Sequence, residues 1–298
     1  QEGPRVTING PVPRSVQWFS EAVNTWAVAE FDVPWLDGRS LGGRPQADWC
    51  PAHSALPCLR YIPGGVFWMG AQATDTAGPG YDPDATPEEG PPRRVTVGAL
   101  TAHVREVDAR SYRLCVQAGA CRLGDVLAEG GYFNYGQSER GEYPMNGVSW
   151  VGAQRFCRWM GGRLPTEAEW EYLARGAEGR RFPWGDHAPR CRVGANARIP
   201  QGCPTDGTGP PGLAQTRSAM GLAGMGDGVW EWVADWYGPY APSVTVRPTG
   251  PATGVERVHR GGGWTTEVST ERRASFRAAL PPDTRLSDVG FRCVRDAE

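Results

Sequence analysis

The chain has 298 residues, including 41 glycines and 27 prolines, and its formal net charge at pH 7 is −2. With 13 tryptophans it does not have the aromatic-poor composition of a disordered chain, and its small net charge gives no electrostatic basis for binding nucleic acid or an anionic membrane. No apolar run reaches the roughly 20 residues of a membrane-spanning helix, so we expect a loop-rich globular protein without a transmembrane segment.

The first 58 residues carry no recognisable motif, and we treat them as an extension docked on the main body. Within them, residues 15–26 (SVQWFSEAVNTW) have apolar residues at helical spacing, which predicts an amphipathic helix. Two later stretches, 71–92 and 179–228, are rich in glycine and proline and predict long surface loops.

Capping signals predict two helices in the middle of the chain. Asp108 can cap a helix over residues 109–116, and Ser149 can cap another over residues 150–160. Both residue types accept a hydrogen bond from a first-turn N–H group, which satisfies one of the unpaired donors of a helix. We therefore expect two short helices here.

A third helix has the strongest signal. Thr166 and Glu169 are spaced as a capping box, and Gly176 supplies a left-handed stop, so we predict a helix between them. Few helices, many short strands and long loops indicate an α+β fold with antiparallel pairing. The predicted strands cover residues 65–69, 94–97, 243–247, 256–259 and 290–294.

Eight cysteines indicate an oxidising compartment and disulfides. Zinc is the alternative, but the chain has no Cys-x-x-Cys motif and its four histidines are scattered. The chain starts at Gln1, so a signal peptide has been removed or the chain has been trimmed. Proximity suggests three local pairs and leaves two distant cysteines, although spacing alone does not fix the connectivity: Cys50 and Cys58, Cys115 and Cys121, Cys191 and Cys203, with Cys157 and Cys293 remaining.

A series of collinear motifs covers about residues 60–296. The motifs are IPGGVFWMG at 62–70, EVD at 106–108, PMNGVSW at 144–150, GRLPTEAEWEY at 162–172, FPWG at 182–185, GL at 221–222, VWEW at 229–232, DW at 235–236, RGG at 260–262 with Trp264, and GFR at 290–292. This series resembles the formylglycine-generating enzyme family, the sulfatase-modifying factors. The resemblance implies a compact, irregular α+β fold related to C-type lectins, with a main domain over 59–298.

The resemblance also implies a disulfide and calcium ligands. Cys157 and Cys293 stand where family members have a bridge between the segment before the RLPTE motif and the segment after GFR. A family calcium site uses an asparagine side chain, the next carbonyl, a later aspartate and a carbonyl two residues beyond, and oxygen donors of this kind suit Ca²⁺. The matching residues are Asn196, Ala197, Asp206 and Thr208.

A second calcium site of the family precedes the VWEW motif. Here Glu231 remains, but Gly224 and Gly228 stand where side chains with oxygen atoms are usual, and Asp227 is the substitute that remains in this turn. The resemblance therefore implies a site that has lost two side-chain donors. We treat Glu231 as its one candidate ligand from the usual set.

Catalytic family members oxidise a substrate cysteine with O₂ and a copper(I) ion that two cysteines hold, because soft thiolates select this ion. At the matching positions this chain has Thr266 and Glu271, and Gly263 replaces the usual serine. No cysteine occurs from residue 204 to 292, so we expect neither copper nor a catalytic residue here. We expect Trp264 and Arg260 to line the groove that remains.

Two functions follow from these observations. The first is a non-catalytic, extracytoplasmic binding or structural subunit that contacts a protein partner or surface ligand, and that can belong to a larger assembly. Loops on a scaffold held by disulfides and calcium suit recognition. The second is a divergent oxidase or maturation enzyme that acts on a protein or peptide through a different metal site.

Overall fold

The computed structural model describes residues 57–188, 207–209, 217–241 and 245–297, together with the backbone of three N-terminal strands. Within these residues, no helix combines the length and the apolar character that a membrane crossing requires. Six predicted site residues lie outside the described part of the chain: Asn196, Ala197, Asp206, Cys50, Cys191 and Cys203.

The N-terminal strands β1 (Val6–Thr7), β2 (Ser15–Ser20) and β3 (Thr25–Glu30) form an antiparallel sheet of their own. The helix predicted over 15–26 is therefore wrong. Residues 15–18 (SVQW) alternate polar and apolar with period two, and β-branched and aromatic residues favour strands. In so short a segment, the helical spacing of a few apolar residues does not outweigh that alternation.

The strands of the main body form three small sheets. β8 lies between β9 and β11, β10 lies beyond β9, β7 lies between β4 and β12, and β5 pairs with β6. Only the β8–β11 pair is parallel among the strands described. The strands are β4 (Leu59–Ile62), β5 (Gly65–Met69), β6 (Arg93–Val97), β7 (Leu100–His103), β8 (Trp230–Trp236), β9 (Arg257–Arg260), β10 (Arg277–Leu280), β11 (Val289–Gly290) and β12 (Val294–Asp296).

Three of the five predicted strands are confirmed within one residue, as β5, β6 and β9. The strand predicted over 290–294 is interrupted, because the chain leaves β11 and joins a different sheet at β12. For the prediction over 243–247, the described residues 245–247 make only a bridge to β6, in which Thr96 N donates to Thr245 O at 2.7 Å.

All three predicted helices are confirmed: α1 (Ala109–Gln117), α2 (Trp150–Trp159) and α3 (Glu167–Arg175). The capping box of α3 is present, since Thr166 Oγ1 accepts from Glu169 N at 3.2 Å and Glu169 Oε2 accepts from Thr166 N at 2.8 Å. Local hydrogen bonding therefore fixes the start of α3 before any tertiary contact is made. The few helices and short, mostly antiparallel strands are those of the predicted α+β class.

Two apolar clusters form the interior. One packs α3 against β5, β6 and β8, and includes Phe67, Trp170 and Val233. The other packs α1 and α2 around Phe156 and the end of the chain. The two clusters hold the glycine-rich turn after β9 against the rest of the domain, which positions the candidate site.

Two disulfides brace the second cluster. The Cys157–Cys293 bridge that the resemblance implied is present and joins residues 136 apart, and the local Cys115–Cys121 bridge closes the turn after α1. Cys58 is also disulfide-bonded, and its predicted pairing with Cys50 stays a prediction. The bridge between Cys157 and Cys293 ties α2 to the segment between β11 and β12.

Candidate functional site

The region predicted to form the groove, called the groove below, contains a glycine turn that follows β9. Gly261 and Gly262 have φ angles of 103° and 82°, a region that residues with a side chain rarely adopt. A Cβ atom on Gly262 would lie 2.9 Å from Cγ of Arg272. The glycines therefore allow the Arg272 side chain to lie directly against the turn.

Arg272 is the central side chain of the turn. It is fully buried, and it donates to the carbonyl oxygens of Gly226 at 2.9 Å, Gly263 at 2.9 Å and Thr266 at 2.8 Å. Burial lowers the pKa of Arg272 to about 10, against a smaller opposing effect from the carboxylates of Asp227 and Glu271. A buried positive charge therefore sits among backbone carbonyls at the base of the groove.

The structure describes all three positions at which the resemblance implies a replaced catalytic-site residue. Thr266 is buried, and its Oγ1 accepts from Gly263 N at 2.9 Å. A Cβ on Gly263 would lie 2.8 Å from the carbonyl oxygen of Asp288, so this position accepts only glycine without rearrangement. Glu271 is half-buried in a short 3-10 helix over Ser269–Arg272.

Trp264 follows the glycine turn and stacks on Tyr132, with ring centroids 5.1 Å apart and an interplanar angle of 23°. Its indole Nε1 donates to Ser287 O at 3.0 Å. Tyr132 is 57% exposed and Trp264 is half-buried, so the pair presents an aromatic face to solvent. That Trp264 lines the groove stays a prediction.

Asn146 holds the two sides of the aromatic pair together. Its Nδ2 donates to Tyr132 O at 2.7 Å and to Ser287 O at 2.5 Å, and its Oδ1 accepts from Asn134 N at 2.9 Å. Both asparagines are fully buried. Three segments distant in sequence are therefore fixed by one amide, a role that was not assigned to Asn146 from the sequence.

Arg260 does not line the groove, contrary to the prediction. It is fully buried and donates to Glu171 Oε2 at 2.5 Å and to Glu167 Oε1 at 3.1 Å. A buried guanidinium needs opposing carboxylates, and α3 supplies both. Arg260 therefore anchors β9 to α3 from the interior.

Glu231 is likewise committed to a buried ion pair. Arg292 donates to it twice, from Nε at 2.7 Å and from Nη2 at 2.5 Å, and Trp170 Nε1 donates at 2.8 Å. All three side chains are fully buried. The two carboxylate oxygens are thus engaged by three N–H donors, which joins β8, α3 and the segment before β12.

A comparison with known protein families shows which family the chain belongs to. The model of the sulfatase-modifying factor enzyme 1-like domain matches residues 50–297, most of the chain. The chain belongs to this family. Its sulfatase-modifying factor domain thus includes the whole groove described above.

Relatives of the family domain include enzymes and an inactive protein. The formylglycine-generating enzyme of Streptomyces coelicolor is 41% identical over 172 residues, which is 53% of this chain and 54% of that protein. That of Thermomonospora curvata is 32% identical over 290 residues, covering 79% of this chain and 92% of that protein. The inactive C-alpha-formylglycine-generating enzyme 2 of Mus musculus is 28% identical over 299 residues, covering 83% and 90%.

Solved structures share the fold of the sulfatase-modifying factor domain. PvdO from Pseudomonas aeruginosa superposes with a TM-score of 0.67 at 22% identity, covering 86% of this chain and all of that chain. Treponema denticola variable protein 1 superposes with a TM-score of 0.56 at 18% identity, covering 81% and 95%. At these identities the likeness concerns the fold alone.

The residues that the resemblance matches to the family's copper positions do not fit copper(I). Thr266 offers a hydroxyl that already accepts a hydrogen bond from Gly263 N, and Glu271 offers hard oxygen atoms. Soft copper(I) selects sulfur donors. The buried guanidinium of Arg272 adds a positive charge beside Thr266, which opposes a second cation.

The calcium positions are described only in part. Thr208, whose carbonyl is the predicted ligand, has its hydroxyl hydrogen-bonded by Asn134 Nδ2 at 2.7 Å. Within the part of the chain that the structure describes, no three histidine, cysteine or acidic residues form a group that could hold a metal ion. At the second family site, both oxygens of Glu231 are engaged by Arg292 and Trp170.

A carboxylate that sequence reasoning missed lies at that second family site. Glu106, in the EVD motif, is buried, and its carboxylate lies where Cβ atoms on Gly224 and Gly228 would be. The pKa of Glu106 is raised to about 8, chiefly by burial; Arg292 lowers it, and the neighbouring carboxylates of Glu231 and Asp227 act in the same direction as burial. The two glycines in the sequence are therefore explained by a side chain from the segment before α1.

Proposed function

We propose that this protein is a non-catalytic, extracytoplasmic binding or structural subunit built on the sulfatase-modifying factor scaffold. Its groove contacts a protein partner or surface ligand and performs no oxidation. The proposal rests on one observation: Thr266, which the resemblance matches together with Glu271 to the family's soft-metal ligands, is paired with the buried Arg272, which donates to its carbonyl oxygen at 2.8 Å.

The electrostatics of this pair support the proposal. Arg272 donates to the carbonyl oxygens of Gly226, Gly263 and Thr266, and these bonds hold its charge in the base of the groove. A second unit positive charge about 4 Å away would be repelled by about 4 kcal/mol at an effective dielectric of about 20. The carboxylate of Glu271 offsets part of that repulsion, but neither residue 266 nor residue 271 supplies the thiolate that selects copper(I).

The aromatic residues beside the groove support a role in binding a protein partner or surface ligand. Tyr132 and Trp264 form a stacked aromatic face, and Asn146 fixes the backbone beside both rings. A rigid aromatic surface loses little conformational entropy on binding, which is why such residues dominate recognition surfaces. The groove therefore has a pre-ordered surface although it lacks metal ligands.

Calcium is part of the proposal as a structural ion. We expect Asn196, Ala197, Asp206 and Thr208 to hold it, in keeping with the family resemblance. The hydrogen bond from Asn134 to Thr208 connects this loop to the buried amides at the groove. Oxygen ligands of these kinds suit Ca²⁺, which would stabilise the loop that contributes them.

The proposal of an extracytoplasmic location is supported by the disulfides. Cys115–Cys121 and Cys157–Cys293 are both formed, and such bridges persist in oxidising compartments. Detection of a free thiol at Cys157 or Cys293 in protein purified from its native source without reduction would contradict that location.

The test combines metal analysis with an oxidation assay. Purified protein and its Thr266→Cys/Glu271→Cys variant are analysed for copper and incubated with a cysteine-containing peptide, copper(I) and O₂. We expect no stoichiometric copper and no aldehyde product from the wild-type protein. Aldehyde formation by the wild-type protein would instead favour the divergent oxidase and would end the binding-subunit proposal.

A further inference from the structure

The outer face of β5 carries an apolar surface. Along β5, Phe67 and Met69 point inward and are 2% and 1% exposed, whereas Val66 and Trp68 point outward and are 42% and 43% exposed. On β6 the outward residues are polar: Thr96 is the partner of Val66, and the exposed Arg94 is the partner of Trp68. Beyond β6, Val246 is 66% exposed and forms a parallel bridge with Thr96. We name this the Trp68 face, and it consists of Val66, Trp68 and Val246.

The composition of β5 is that of a strand covered on both sides. Its inner face packs on α3, where the rings of Phe67 and Tyr172 lie 5.3 Å apart. An antiparallel pair with one solvated face usually alternates apolar and polar residues, whereas apolar residues on both faces are typical of a sheet between two layers. The Trp68 face therefore lacks its second layer among the described contacts of β5 and β6.

The N-terminal part of the same chain is a candidate for the layer that packs on the Trp68 face. Residues 57–58 lead into β4, and β4 is separated from β5 by only Pro63 and Gly64, so the N-terminal part of the chain joins the domain next to the Trp68 face. Twenty-eight residues separate β3 from β4, and an extended chain of that length spans up to roughly 90 Å. The N-terminal strands can therefore reach this face without strain.

The N-terminal sheet needs such a surface. It has three strands of two, six and six residues, and its strands pair only with one another among the sheets described. In sequence, the β2 and β3 strands contain the apolar residues Val16, Trp18, Phe19, Trp26 and Val28. Small sheets are stable in water only when an apolar face is packed against another layer.

We propose that the β2–β3 hairpin of the same chain docks on the Trp68 face and completes the domain as its missing layer. Tethering raises the local concentration of the hairpin to the order of millimolar, which favours it over a free partner with similar apolar contacts. The extension of 58 residues is thus an integral layer of the domain. This inference is independent of whether the groove is catalytic.

The test uses photo-crosslinking in the full-length chain. The photoreactive residue p-benzoylphenylalanine replaces Trp68, and in a matched control it replaces Leu123, which is 61% exposed in the 3-10 helix Leu123–Asp125. After irradiation, monomeric protein is digested and crosslinks are mapped by mass spectrometry. We expect crosslinks from position 68 to residues 15–30 at least about tenfold more abundant than those from position 123.

A second measurement keeps the inference falsifiable if the probe perturbs packing. In full-length Trp68→Ser, trypsin cleavage at Arg14 and Arg39 should accelerate at least about fivefold, while Leu123→Ser leaves it unchanged. Non-reducing peptide mapping of the Cys157–Cys293 bridge checks that both variants are folded. Crosslinks that join two chains, crosslinks elsewhere in the chain, or unchanged cleavage in Trp68→Ser would overturn the proposal.

Discussion

Replacement of Asn146 by alanine tests how the groove is held in shape. The fully buried amide donates to Tyr132 O and Ser287 O and accepts from Asn134 N. Alanine removes all three hydrogen bonds. Tyr132 O and Asn134 N lose their partner, while Ser287 O keeps the hydrogen bond from Trp264 Nε1. Each unsatisfied buried group costs about 1–3 kcal/mol, so the free energy of unfolding should fall by at least about 2 kcal/mol.

The assay is urea denaturation followed by tryptophan fluorescence at pH 7.5. Gln117→Ala, which deletes an exposed amide at the end of α1, is the matched control and should change stability by less than about 0.5 kcal/mol. Because Ser287 also accepts from Trp264 Nε1, Asn146→Ala should also alter the native-state fluorescence of Trp264, judged against the same change in a Trp264→Phe background.

The reasoning would be refuted by a specific pair of results. If Asn146→Ala costs less than about 1 kcal/mol at an unchanged denaturant slope, and the fluorescence of native Trp264 is unaltered, the amide does not organise the groove. A loss of stability with unaltered fluorescence would leave Asn146 as a support of the core, without a role at the aromatic pair.

Three further predictions concern the interior. Arg292→Met leaves the Glu231 carboxylate buried without its partner and should lower the free energy of unfolding in urea by about 3–5 kcal/mol. Burial lowers the pKa of His259 to about 3, so from pH 7.5 to 5 wild type should lose about 2 kcal/mol relative to His259→Gln in urea titrations at both pH values. Cys157→Ser opens a loop of 136 residues and should cost about 5 kcal/mol by differential scanning calorimetry and urea unfolding.

Each of these has a clear contrary outcome. A stability for Arg292→Met within 1 kcal/mol of wild type would mean that Glu231 gains other partners. For His259, the folded state binds fewer protons than the unfolded state between pH 3 and 6.5, so stability must fall on acidification. A pH-independent difference from His259→Gln would contradict the burial argument, and Cys157→Ser with wild-type stability would contradict the role of the bridge.

The local parts of the fold could be predicted from the sequence because their signals are local. The Thr166–Glu169 capping box fixes α3 through hydrogen bonds within four residues. The N-terminal helix was predicted wrongly because residues 15–26 fit both a helical and an alternating pattern, and the pairing of Ser15 with Glu30 decides between them. This pairing is a contact between two strands, and the spacing of apolar residues within 15–26 gives no information about it.

The candidate site, like the fold, could be predicted only in part from the sequence. The sequence predicts the loss of the cysteine pair, since the resemblance matches Thr266 and Glu271 to those two positions. What replaces it is not visible, because Arg272 acts through carbonyl groups of Gly226 and Gly263, residues that have no side chains to suggest a contact. Arg260 was assigned to the groove by its position in the motif, while its side chain points inward to α3.

The most direct test of the central claim is a copper(I) titration under anaerobic conditions with a chromophoric chelator as competitor. The account predicts that the wild-type protein withdraws no copper(I) from the chelator, since Thr266 has no thiolate and Arg272 repels a cation. Binding of one copper(I) ion per chain that is abolished by substitution of groove residues would contradict the account.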